Sequence, residues 1–330
     1  MGNRQVQRAI TAVLLGLFSM TFLMPFGWML STSFKHEARI FTPSGEPPQW
    51  IPTTEVVDDE GRRLVQHAGE IGPQIGDNDR GMWILALPSG TVEVWPDEAE
   101  VLQRVGFHWE NYPAAFGMID FALNLRNTLF ICTMAVIGTV LSSSLVAYSF
   151  ARIPWRGRNV LFVMVLATMM MPYQVVLIPL FVLYRELGWT GTFLPLIVPY
   201  FLGVPFYIFL LRQFFMSVPQ DLSAAARIDG CSEFGIYSRI ILPLSKPALA
   251  TCALFMFLFQ WGDFLNPLIY LQDDRQWTLA LALQSFQSNH ESAWGPLMAM
   301  STVITLPIIA LFFLTQRTFI EGIAMSGLKG

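Results

Sequence analysis

Charge is what this sequence has least of. Asp, Glu, Lys and Arg together supply 13% of its 330 residues, against the roughly 25% usual in a soluble domain. The deficit argues against water as the solvent for most of the chain. Lysine is rarer still. Lys35, Lys246 and Lys329 follow Phe34, Ser245 and Leu328, so the Gly-Lys-Ser/Thr of a phosphate-cradling loop is absent. Cysteine is also scarce. Cys132, Cys231 and Cys252 fit neither a zinc nor a disulfide spacing, and read as inert small residues. His36, His67, His108 and His290 are dispersed and form no metal motif. The formal net charge of −4 is uneven: residues 53–106 are strongly acidic and the remainder is slightly basic, so no global acidic or nucleic-acid partner is expected.

Apolar residues, at 53% with a mean hydropathy of +0.48, are plentiful and continuous. A membrane helix needs about 20 of them in a row. Six stretches qualify: 9–31, 126–149, 159–183, 193–213, 247–270 and 296–316. Pro25, Pro172, Pro179, Pro199, Pro205 and Pro307 fall within them, which neighbouring helices in a bundle tolerate. The first stretch is too long for the h-region of a signal peptide, and Ser31-Thr32-Ser33-Phe34-Lys35 offers no small-x-small cleavage site, so it reads as a retained helix. With the N-terminus inside, eleven basic residues fall in cytoplasmic segments, among them Arg152, Arg156, Arg158, Arg212, Arg227, Arg239 and Lys246. Only Arg185 and Arg275 fall in the short external loops. That bias puts both termini in the cytoplasm.

Between the first two spans, residues 36–122 form a long external loop with an inserted small subdomain at about 53–106. Met82–Leu87 and Thr91–Trp95 are β-prone runs around Pro88-Ser89-Gly90, which predicts a hairpin. Asp97–Val105, with Pro96 near its start, reads as a short helix. The insertion is either a docking surface for an external partner or a passive brace at the mouth of the first span. The expected fold is all-α and transmembrane, with six helices and this small β-containing insertion. The organisation is a tail and first helix over 1–35, the external loop, and a five-helix core over 123–330.

The loop over 216–246 has local helix chemistry. Pro219 opens a helix, Asp221 suits its first turn and the alanines favour it. Gly230 stops it, Ser232 caps a second short helix and Pro243 ends that one. Small residues on one face would let another protein's backbone approach closely.

Ala225, Ala226, Gly230, Ile240, Leu242 and Pro243 match the E-A-A, three residues, G, nine residues, I-x-L-P pattern of bacterial ABC importer permeases, with Ala224 in place of the glutamate. Further matches run along the chain: Ser33-Phe34-Lys35, Asn111-Tyr112, Asn127-Thr128, Ala147-Tyr148, Phe150-Ala151-Arg152, Ile178-Pro179, Leu187-Gly188, Trp261, Asp263-Phe264-Leu265, Gly327 and Lys329-Gly330. Gly262 stands where an asparagine is usual. The sequence therefore resembles the smaller maltose-type carbohydrate permease, a type I ABC importer subunit, over nearly all of its length outside about 53–106.

The resemblance implies a coupling element that seats in a separate ATPase, carried by Leu222, Ala225, Ala226, Arg227, Asp229, Gly230, Ile240, Leu242 and Pro243. It implies a homologous second permease subunit, two ATP-binding subunits carrying ATP and Mg, and an extracytoplasmic sugar-binding protein. No cofactor is expected on this chain. It further implies location in the cytoplasmic membrane and import of a sugar or oligosaccharide. Trp261, Asp263 and Asn266 are substrate-path candidates, because sugars want hydrogen bonds beside aromatic faces. The alternative is a structural cluster serving the backbone freed near Pro267, and it is preferred because the main sugar site of the maltose system lies in the sister permease. The external loop 271–295 either reaches a binding protein or merely connects two spans. Two rivals stand beside this reading. An ion-coupled secondary transporter would need more intramembrane charge than Asp263. A membrane-embedded enzyme would need a nucleophile–base set or metal ligands within the spans.

Overall fold

The computed structural model describes residues 3–37, 40–41, 49–287 and 293–327, with side chains described from 7 to 316. Asn289, His290, Lys329 and Gly330 lie outside the described residues. Among the described residues, four helices are long and apolar enough to cross a membrane, and two sharply bent helix pairs bring the number to six if each pair is one span. The chain divides into two compact units, residues 1–118 with 286–303 and residues 119–285 with 304–330.

In the first unit, α1 (Asn3–Thr32) is apolar on every side, and its spanning window is wholly exposed. A helix hydrophobic all round suits lipid. Its C-terminal exit is tied to α2 (Asn111–Met118), where Asn111 Nδ2 donates to the carbonyls of Ser33 and Lys35, each at 2.9 Å. The N-terminus of α14 (Trp294–Gly327) presents the amides of Trp294 and Gly295 to the Glu37 carboxylate at 2.8 and 3.1 Å. A carboxylate there satisfies orphan amides and meets the positive end of the helix dipole.

The insertion is a β-subdomain. Strands β1 (Thr53–Glu55), β2 (Leu64–His67), β3 (Glu70–Asp77), β4 (Trp83–Leu87), β5 (Gly90–Val94), β6 (Glu100–Val101) and β7 (Gln103–Val105) form two antiparallel sheets. One has the order β5-β4-β3-β2-β6, and the other pairs β1 with β7. The hairpin around Pro88-Ser89 is present, with Leu87 opposite Gly90. The expected helix over 97–105 is absent. Pro96–Glu98 makes a single 3-10 turn, and the chain then becomes β6 and β7. Pairing with β2 and β1, both more than 30 residues earlier, overrides local helix propensity. Val65, Leu85, Leu87 and Val94 are buried together as the subdomain's own core.

In the second unit, α3 (Phe121–Arg152) is the central post. Asp120 caps it by accepting from Leu123 N at 3.1 Å. Its small residues admit close neighbours. A Cβ on Gly138 would lie 2.6 Å from the Phe201 ring. The fourth span is not one regular helix. It runs as α6 (Leu194–Ile197), a 3-10 turn (Val198–Leu202) and α7 (Pro205–Ser217), with Gly203 at φ +91° at the joint. Two serines of α3 satisfy the backbone freed there: Ser142 Oγ donates to Tyr200 O at 3.0 Å, and Ser143 Oγ accepts from Val204 N at 3.1 Å.

Two further spans are broken where the sequence read as continuous. Residues 159–183 divide into α4 (Arg158–Thr168) and α5 (Tyr173–Glu186), bent by 95°. Pro172 stands at the break as the residue before α5, and its ring cannot continue the α4 hydrogen-bond ladder. After α8 (Gln220–Ile228), the second loop helix runs from α9 (Glu233–Ile236) through a π-helical stretch (Tyr237–Ile241) into α10 (Leu242–Leu244). Pro243 therefore does not end this helix. The wider π turn ahead of Pro243 frees it from the usual clash, and the chain bends by 78° at Ser245 before α11 (Lys246–Trp261). The stretch 247–270 is interrupted again at Gly262–Phe264, before α12 (Leu265–Tyr270).

The loop after α12 is folded rather than slack. Asn127 Nδ2 donates to the carbonyls of Arg275 and Trp277 at 2.9 and 3.2 Å. Thr128 Oγ1 accepts from Leu279 N at 2.9 Å, which anchors α13 (Leu279–Ala282) on α3.

Candidate functional site

The loop between α7 and α11 is built as two short helices around a glycine. Gly230 has φ +82°, Gly230 N donates to Arg227 O at 3.1 Å and Cys231 N donates to Ala226 O at 2.9 Å. Those two bonds close a Schellman motif, which needs a left-handed residue at Gly230. Ser232 Oγ then caps α9 by accepting from Gly235 N at 3.2 Å.

The two faces of α8 differ. Ser223 and Ala226 are buried, and Ala226 packs in one core with Phe215, Val218, Ile236 and Ile241. Ala226 thus seats the helix on its own chain, while Ala224 and Ala225 remain exposed. Leu222, Ala225, Arg227, Asp229 and Gly230 are exposed, as is Pro243, while Ile240 and Leu242 are half-buried. Ile228 is 87% exposed and Phe234 69%. Leu222 is also exposed on this loop, among the charged residues Asp221, Asp229 and Arg227.

One carboxylate braces this loop. Arg227 Nε donates to Glu233 Oε1 at 2.7 Å and the Tyr148 hydroxyl donates to Glu233 Oε2 at 2.7 Å. The Arg227 guanidinium holds the Glu233 carboxyl below its ordinary range. Beside it, Ser144 Oγ and the Tyr237 hydroxyl share a buried hydrogen bond of 2.7 Å. Arg152, at the end of α3, donates to Val218 O, and Arg212 Nε reaches Phe150 O at 3.3 Å while its guanidinium lies 4.1 Å from the Phe162 ring centre. The basic ends of α3, α4 and α7 thus converge beside α8. The sequence carried Tyr148 and Arg152 as motif matches without a role, and Glu233 went unmarked.

A second feature lies among α5, α6, α7, α11 and α12. A half-open cavity of about 430 Å³ is lined by Tyr173, Tyr184, Tyr200, Tyr207, Tyr270 and Asn266. Tyr173 donates to Asn266 Oδ1, and Asn266 Nδ2 donates to Asp263 Oδ2 at 2.8 Å. Asp263 Oδ1 also accepts from Asn266 N at 3.2 Å, so this acid serves the start of α12. Trp261 is 2% exposed and donates from Nε1 to Ile304 O at 3.2 Å. The three substrate-path candidates therefore separate. Asn266 faces the cavity, Asp263 positions Asn266, and Trp261 is a packing residue outside it. The tyrosines are spread over almost 100 residues, so no motif announced them, although five of the chain's eight tyrosines meet here.

Broken apolar spans, an exposed helix–glycine–helix loop at their basic end and a cavity inside the bundle define a multi-pass membrane permease. Residues 128–324 match the model of the binding-protein-dependent transport system inner membrane component family. The chain belongs to that family. The arabinooligosaccharides transport system permease protein AraQ of Halalkalibacterium halodurans is 36% identical over 204 residues, covering 62% of this chain and 73% of that one. The trehalose/maltose transport system permease protein MalG of Thermococcus litoralis is 34% identical over 225 residues, covering 67% and 81%. A solved bacterial ABC transporter involved in import of the acidic polysaccharide alginate has a chain that superposes with a TM-score of 0.69 at 20% identity, covering 96% of this chain and 98% of that one, which shows a shared fold. As a permease of this family the protein is a multi-pass inner-membrane component of an ABC importer, and ATP hydrolysis lies on separate subunits. The ion-coupled carrier and the membrane enzyme are thereby set aside.

Proposed function

We propose that this chain is one half of a permease pair that imports a sugar or oligosaccharide, with α8 as the element that seats in a partner ATPase. The observation that carries the coupling role is the exposure of Leu222 and Ile228 on α8 and of Phe234 on α9, in a loop whose Ser223 and Ala226 are buried and which is held to the permease core through Ala226. A helix so held moves with α3 and α7 as one body. Closure of two ATP-bound subunits would then shift the spans between inward- and outward-facing states, a two-state population change. The sugar assignment is supported by relatives named for arabinooligosaccharides, trehalose/maltose and lactose. ATP and Mg belong to the two ATPase partners. A homologous permease completes the path, and an extracytoplasmic sugar-binding protein delivers the substrate. Basic residues at the α8 end of the bundle support both termini lying in the cytoplasm.

Affinity purification of this chain from its native membrane tests the coupling role. The ATPase should co-purify with the wild type, and Ile228→Asp should lose it while retaining the second permease. Equal recovery of the ATPase with Ile228→Asp would remove α8 from this role.

A further inference from the structure

The tyrosine cavity gives this chain a share of the substrate. We infer that it is a binding subsite for a neutral saccharide, so that this subunit touches the transported sugar directly. The inference rests on the proposed import function and adds a site and a ligand class to it.

Saccharides have apolar ring faces and polar edges. The cavity offers both kinds of partner. Phe206 and Phe259 line it with carbon surface, and the tyrosines add aromatic faces that carry hydroxyls. Tyr184 stands edge-on to Tyr270 at 5.3 Å between ring centres, which fixes both rings. Such preset rings need little ordering on binding.

The polar edge of the cavity is a connected set. Tyr173 donates to Asn266 Oδ1, and Asn266 Nδ2 donates to Asp263 Oδ2 at 2.8 Å. Tyr173 and Asn266 both line the cavity, so hydroxyl and amide groups interrupt its carbon surface where a ligand hydroxyl would bind.

The lining also specifies charge. Among the described residues, no Asp, Glu, Lys or Arg lines the cavity. A uronate sugar entering it would leave its carboxylate without a cation in a low-dielectric site, which is costly. A neutral pentose or hexose unit meets no such penalty. At about 430 Å³ the space falls within the range of small-molecule sites, at the size of a short saccharide segment and not of a long polymer.

The test uses the whole complex, drawn from its native membrane by a tag on this chain and freed of the soluble binding protein. Radiolabelled arabinotriose, maltotriose and a mannuronate trisaccharide are offered in equilibrium dialysis. The expected result is binding of at least one neutral probe and none of the uronate. Tyr173→Phe and Asn266→Ala should each weaken that binding about tenfold, the loss of one hydrogen bond, at unchanged complex yield. Val163→Ala, exposed on α4 and outside the cavity, should leave it unchanged. Unaltered affinity in both cavity variants, or preference for the uronate, overturns the inference. So does absence of neutral binding in a complex whose cells still take up neutral saccharide, and there the import reading survives. Cells that take up no saccharide at all overturn the import reading and this one with it.

Discussion

The Tyr148 hydroxyl donates to Glu233 at 2.7 Å, joining α3 to the loop beyond Gly230. The other carboxylate oxygen takes Arg227 from α8. Three elements therefore meet on one side chain. Ala224 stands where related permeases carry a glutamate, and Glu233 offers this loop a carboxylate of its own.

If this junction transmits motion, cutting it should uncouple the machine without dismantling it. Tyr148→Phe removes only a hydroxyl, and its cost is about 1 kcal/mol. The expected outcome is a complex of normal composition whose substrate-stimulated ATP hydrolysis falls several-fold relative to its basal rate. Glu233→Gln should act in the same direction, and the double variant should be little worse than either single one because all three groups share one network. Additive losses would argue for independent roles.

The same junction has a defined pH dependence. The Glu233 pKa is lowered on folding, chiefly by the Arg227 hydrogen bond. Its contribution is therefore complete above the unfolded carboxylate value of about 4.3 and is lost as pH falls through the lower folded value. The pair is largely exposed, so the effect stays below about 1 kcal/mol. Melting temperatures of wild type and Glu233→Gln should differ by a constant amount from pH 6 to 8 and converge in acid. Convergence near neutrality would assign the difference to another group.

Gly230 tests the loop geometry separately. A Cβ there would meet nothing within 4 Å, so crowding is not the issue; the φ of +82° is. Alanine should cost about 1–2 kcal/mol from the left-handed backbone alone, and valine more. Asparagine, which tolerates this region, should recover most of the loss. Recovery of the ATPase partner on purification should follow the order glycine, asparagine, alanine, valine. A flat series would mean that the turn is not needed for docking.

Asp263 is expected to matter for assembly. Its side chain accepts from Asn266 N at the start of α12, and alanine at a helix start of this kind costs about 1 kcal/mol. Complex yield should drop with Asp263→Ala and return with Asp263→Asn, which keeps the accepting oxygen. Failure of asparagine to restore yield would show that the charge itself is required.

Much of this architecture could be read in advance because its causes are local. The Pro88-Ser89 turn, the Gly230 stop and the Ser232 cap each depend on a few adjacent residues. Hydropathy also found the membrane stretches, since it measures apolar length. It cannot see breaks that neighbouring helices stabilise, and so Ser142 and Ser143 satisfying the joint at Gly203 were invisible. The strands over 100–105 were missed because their partners lie far back, at Thr53–Glu55 and Val65–Gln66. The site was legible in proportion to sequence proximity. The helix–glycine–helix geometry of the 216–246 loop is contiguous and could be read in advance, whereas the tyrosine cavity is assembled from Tyr173 to Tyr270 and had to wait for the fold.

The pairing of Thr53 with Val105 has a consequence for descent. Opposed residues in an antiparallel ladder stand about 5 Å apart, so everything between them hangs from a gap that a tight turn can close. With its own core, that cargo could be gained, shed or exchanged in a single genetic event, and the flanking helices would keep their register. A permease could therefore carry a different subdomain at this position, or none, with the same helices on either side.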